Sequence, residues 1–76
     1  MSAYLERHDP ARNMARFYTV KLSPTLFGEW ALVREWGRIG SPGTVREEWF
    51  PSGIEAEGAL SRALKQKQSR GYRMRT

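Results

Sequence analysis

The chain has 76 residues and a net charge of +5, from 13 Lys and Arg against 8 Asp and Glu, with one histidine and no cysteine. That length allows one small domain. The absence of cysteine excludes disulfide frameworks, cysteine zinc sites and thiol nucleophiles, and His8 alone supports neither a histidine metal cluster nor an ordinary triad.

No apolar run approaches the about 20 residues that cross a bilayer. The N-terminus lacks the apolar core of a secretory signal, so the expected compartment is the cytoplasm. The charge is segregated. Residues 1–40 carry net +2, residues 41–61 carry net −3 and residues 62–76 carry net +6. A concentrated cationic end attracts phosphate-rich partners at long range. The competing reading of the last five residues is a solvated tail.

Tyr4 to His8 can form an edge strand before Asp9-Pro10 interrupts it. Met14 to Leu22 alternates, with Tyr18, Val20 and Leu22 on one face and Phe17, Thr19 and Lys21 on the other. Ser23-Pro24-Thr25 breaks that strand and Gly28 helps the turn. Glu29 to Ile39 is a long strand, with Trp30, Leu32, Arg34, Trp36 and Arg38 sharing one face. Gly40-Ser41-Pro42-Gly43 is a second turn, and Thr44 to Pro51 a third strand. Short connections make successive strands antiparallel neighbours.

The period then changes to 3.6. Ser52 to Glu55 is a capping-box pattern, Gly71 is a C-terminal stop, and Ala56, Ala59, Leu60, Ala63 and Leu64 form a narrow stripe. The expected fold is α+β: a small curved antiparallel sheet of three to four strands, with one helix packed across a face.

Trp36-Gly37-Arg38 is the segment richest in chemistry. Trp36 and Arg38 are two apart on a strand and project from one face. Gly37 leaves the backbone approachable from the other. An indole beside a guanidinium suits nucleic acid: the ring stacks on a base or packs on a sugar, and the guanidinium forks onto phosphate. Spacing alone equally allows Trp36 to be a core aromatic and Arg38 a snorkelling rim residue. Lys67 falls on the apolar helix stripe. It must snorkel past the sheet edge or pair with a carboxylate, and its role is either structural or a phosphate contact.

Other features carry no chemistry. His8-Asp9 has no accompanying nucleophile. Glu47 and Glu48 point to opposite faces. Glu55 and Glu57 belong to the helix start. The 40–43 turn lacks the Lys-Ser/Thr ending of a phosphate-binding loop.

Trp36-Gly37-Arg38-Ile39-Gly40, followed by Gly43, resembles the signature of the WGR domain. Three further blocks resemble the family in the same order. Asn13-Met14-Ala15-Arg16-Phe17-Tyr18 is similar to its Asn-Lys-Phe-Tyr strand. Phe50 precedes a helix that carries Ala56. Lys67 and Arg70-Gly71-Tyr72 match the closing motif of bacterial members. The resemblance covers residues 10–73. It implies an antiparallel sheet with a packed helix, and binding of DNA near strand breaks, as WGR domains do in poly(ADP-ribose) polymerases. By the same resemblance Trp36 packs on a terminal sugar, Arg38 lies at the DNA and interdomain contact, and Arg16 lies near the DNA backbone. Ala15 replaces an asparagine that contacts DNA in some polymerases.

The expected organisation is an N-terminal arm or edge strand over residues 1–12, a WGR domain over 13–73 and a basic tail over 74–76. Candidate nucleic-acid-binding residues are Trp36, Gly37, Arg38, Arg16, Arg70 and Arg73. Lys67, Tyr72 and Asn13 are structural or secondary. No catalytic residue, metal or cofactor is expected. The expected partner of this monomer is nucleic acid, DNA in particular, with no membrane. The alternative is a module that docks on a DNA-processing protein without touching DNA.

Overall fold

The computed structural model describes residues 1–75. Period-two segments form four long strands: β1 (Ser2–Asp9), β2 (Met14–Pro24), β3 (Trp30–Arg38) and β4 (Thr44–Phe50). A 17-residue helix follows, α1 (Gly53–Ser69), and then a two-residue strand, β5 (Arg73–Met74). The sheet order is β4-β3-β2-β1-β5, antiparallel throughout.

The sheet therefore has five strands, not the three to four expected. Two differences account for this. β1 runs from Ser2 to Asp9 and pairs with β2 along its whole length, because the turn at Pro10–Arg12 lies beyond it rather than inside it. β5 then pairs with β1 at Leu5 and Glu6, so β1 is flanked on both sides at those residues instead of lying at the edge. A two-residue strand has no periodicity to read.

Cross-strand register fixes which side chains share a face. Leu5, Tyr18, Trp36 and Thr44 stand opposite one another in a single row. Ala3, Val20, Arg34 and Arg46 form the next row on the same face. The apolar members of these rows, with Leu22 and Leu32, meet the Ala56, Ala59 and Leu60 stripe of α1, and Leu5, Val20 and Leu32 are the largest fully buried side chains. Alanines let the helix lie close on the sheet. Trp30, Trp36, Phe50, Ala63 and Leu64 close the margin of this core.

The helix ends are built by local chemistry. The Ser52 hydroxyl accepts from the Glu55 N–H at 3.4 Å, satisfying one orphan donor of the first turn. At the other end Gly71 adopts φ +95°. The Gly71 N–H donates to the Gln68 carbonyl and the Tyr72 N–H to the Lys67 carbonyl, both at 3.1 Å. This pair of reversed bonds is the Schellman motif. It turns the chain back so that Tyr72 is buried against the core and the next residues reach β1. The Arg75 N–H donates to the Tyr4 carbonyl at 2.8 Å. The stretch named as a basic tail thus lies on the sheet as far as Arg75, and Thr76 lies outside the described residues.

Candidate nucleic-acid interface

The helix packs against β2, β3 and β4. Arg7 stands directly opposite Arg16, and Arg16 directly opposite Arg38. Three arginines therefore cross β1, β2 and β3 in one row, about 4.8 Å from strand to strand. Among the described residues, none of the three has a carboxylate within 4.0 Å. Like charges placed directly opposite in a sheet destabilise it.

The turn beneath the row is set by Asn13. Its φ of 51° and ψ of 43° lie in the left-handed region, which asparagine tolerates better than most residues. Its N–H donates to the Pro10 carbonyl at 3.1 Å. Its own carbonyl accepts from Arg38 Nη1 at 3.3 Å, holding the exposed guanidinium over the turn. Asn13 thus acts on the site through Arg38.

Trp36 lies in the row next to the arginines, two residues from Arg38. It is partly buried against the core and also lines the groove between α1 and the sheet. Trp36 is thus part of the core margin and part of the groove wall. Arg70 caps the helix C-terminus close to Lys67, and it is exposed. Trp36, Arg38, Arg16 and Arg70 are thus brought to one end of the helix-side face.

Two expected members lie elsewhere. Gly37 points to the opposite face, but the backbone there is not approachable. A Cβ at Gly37 would lie 3.3 Å from Gly43 Cα and 3.5 Å from the Phe17 ring. The 40–43 turn folds back over it, so the glycine serves close packing between turn and strand. Arg73 pairs with Glu6, on the face away from the helix, beside His8 and Arg75. There Glu6 accepts from the Tyr4 hydroxyl at 2.8 Å and meets Arg75 Nε at 3.5 Å. The Tyr4 hydrogen bond, more than any other contact, holds the Glu6 carboxyl below its ordinary range.

Lys67 takes neither of the two geometries foreseen for it. Its Nζ lies 5.0 Å from the Tyr18 ring centroid and 5.3 Å from that of Tyr72. The two ring faces take the place of a carboxylate. Tyr72 is brought there by the helix-terminal motif, which ties Lys67, Gly71 and Tyr72 of the closing block to one local structure. Burial first, then the positive charges of Arg70, Arg16 and Arg34, push the Lys67 amine below its ordinary value.

Reading the sequence alone misses Arg7. The signal was present: Ala3, Leu5 and Arg7 continue one alternating face, but only the pairing of β1 with β2 sets Arg7 beside Arg16. Among the described residues no cluster of His, Cys, Asp and Glu has the makings of a metal site, and no helix is long and apolar enough to cross a membrane.

The WGR domain family model matches residues 1–76. The chain is 46% identical over 72 residues to an uncharacterized protein, y4dW, of Sinorhizobium fredii (strain NBRC 101917 / NGR234). The match covers 95% of this chain and 35% of that protein, so the chain spans about a third of the length of the curated relative it matches. No solved structure matches. WGR domains are in general non-catalytic modules that bind nucleic acid. With a family match along its whole length, and the Trp-Gly-Arg strand set in the five-stranded sheet described above, this chain belongs to the WGR domain family.

Proposed function

We propose that this domain is a non-enzymatic module that binds the sugar–phosphate backbone of DNA, with the duplex laid across the helix-side face. The observation that carries this reading is the row Arg7, Arg16 and Arg38, in direct register and, among the described residues, with no carboxylate within 4.0 Å. Three guanidinium groups supply charge and forked donors for phosphate oxygens. Trp36, beside them, supplies a flat surface for the sugar or base of an exposed strand end. The charge contacts backbone rather than base edges, so the expected binding depends weakly on sequence.

A titration of the labelled domain with a 5′-phosphorylated blunt duplex tests this, read by NMR residue by residue. The expected shifts concentrate at Arg7, Arg16, Trp36, Arg38 and Arg70. A second reading, docking on a protein, draws support from Val45 and Trp49, which are 60% and 58% exposed on the opposite face of β4. Shifts confined to that face, or no shifts at low salt, favour the second reading and reject the first.

A further inference from the structure

We infer that the groove between α1 and the β3–β4 half of the sheet holds an unpaired, single-stranded extension of the nucleic acid bound on the arginine row. This inference rests on the DNA-binding reading above. The groove encloses about 700 Å³, within the range of sites that take small organic ligands. Trp36 and Tyr18 line one end and Phe50 the other. Trp36 stands opposite Thr44 and Phe50 opposite Trp30. Six residues of β3 separate the two levels, about 20 Å at the rise of an antiparallel strand. That length takes several nucleotides even at the duplex rise of about 3.4 Å each.

The electrostatics select an anion. Glu48 is the groove's one acidic side chain among the described residues, and Arg34 Nη2 donates to it at 2.8 Å. Arg62 and Lys67, also on the wall, have no carboxylate within 4.0 Å among the described residues. The Gln66 amide adds a donor and an acceptor. The walls are side chains of α1 and of one sheet face. The partly buried rings of Trp36 and Phe50 at the two ends, with the exposed Arg62 on the helix wall between them, suit bases and phosphates. The groove is also continuous with the arginine row: Arg38 is two residues from Trp36 on β3, about 6.8 Å, the rise of two base pairs.

The test compares a blunt duplex with the same duplex carrying a three-nucleotide overhang, of 5′ or of 3′ polarity, by fluorescence anisotropy. One polarity is expected to bind about 5- to 150-fold more tightly than the blunt end, the range one stacked base contributes. Arg62→Gln, at an exposed position, removes a charge from the wall. Ala63→Leu fills the groove with a good helix former. Each is expected to reduce the preference for the overhang at least threefold and leave blunt-end affinity unchanged, with thermal melting confirming the fold.

Overhangs of both polarities binding no better than the blunt end overturn the inference while leaving the DNA-binding reading intact. So does a preference that survives both variants, or an abasic overhang that binds as well as the normal one. Competition by a Glu-rich decamer as strong as that by the overhanging strand overturns the choice of occupant. Loss of blunt-end binding by the unmodified domain at low salt overturns both readings.

Discussion

Replacing Lys67 by methionine separates structure from binding at one position. The stem is kept and the charge removed. The lost interaction is the contact of Nζ with the Tyr18 and Tyr72 rings, at 5.0 and 5.3 Å. One such contact contributes about 0.5–1 kcal/mol at exposed sites and about 2 kcal/mol when desolvated. Against this stand the burial of the amine and the nearby cations Arg70, Arg16 and Arg34, all of which disfavour its charge. A thioether against the same rings regains about 0.3–1.5 kcal/mol. Gain and loss nearly cancel, so Lys67→Met is expected to change stability by less than about 1 kcal/mol in urea at pH 7.

The sign of the pH dependence is independent of that cancellation. The folded-state value of Lys67 lies below the unfolded one, so the unfolded chain holds the proton more tightly. The penalty on the folded state is complete below the folded value and disappears as pH rises through it towards 10.5. The wild type should therefore gain stability relative to Lys67→Met between neutral pH and pH 10. A loss above about 2 kcal/mol at pH 7, or a relative stability that falls over that window, refutes the reasoning. A tenfold loss of duplex affinity in a folded variant makes Lys67 a phosphate ligand instead.

Three further substitutions follow from the geometry. A Cβ at Gly43 would lie 2.8 Å from the Phe17 ring, 2.9 Å from Glu35 Cγ and 2.9 Å from the Trp36 carbonyl. Because backbone is among those atoms, Gly43→Ala should cost about 1–3 kcal/mol in a urea melt; a neutral result contradicts the close turn–strand contact. Arg38→Ala should weaken duplex binding and flatten its salt dependence by about 1 in log–log slope, whereas an unchanged slope removes Arg38 from the phosphate contacts. Trp36→Phe should fold and bind with intermediate affinity; if it binds like wild type while Trp36→Ala unfolds, the indole serves only the core.

The long elements were legible because each buries a face of its own. The alternation from Met14 to Leu22 and from Glu29 to Ile39 predicts β2 and β3 to within two residues at each end. Ser52 and Gly71 mark the helix ends by chemistry that the hydrogen bonds reproduce. β5 was not legible, because two residues make no pattern and their place depends on where the helix-terminal turn aims the chain. The site was legible in part. Trp36 and Arg38 could be placed on one face from spacing within β3, whereas Arg16 came from the family resemblance alone. Arg7 could not be added to them, nor Arg73 assigned to the opposite face, until the register of β1 with its two neighbours was known. The role of Gly37 was misread for a similar reason: what covers it is a turn that a strand pattern does not locate.

The proposed function requires that Arg7, Arg16, Arg38 and their basic neighbours take up phosphates. The direct measurement is the affinity of the domain for a short blunt duplex across a range of salt concentrations. Neutralisation of about 3–5 phosphates by Arg7, Arg16, Arg38 and the neighbouring basic groups predicts a slope of log K against log salt of about −3 to −4.5. A slope shallower than about −1, or no binding at low salt, contradicts the claim.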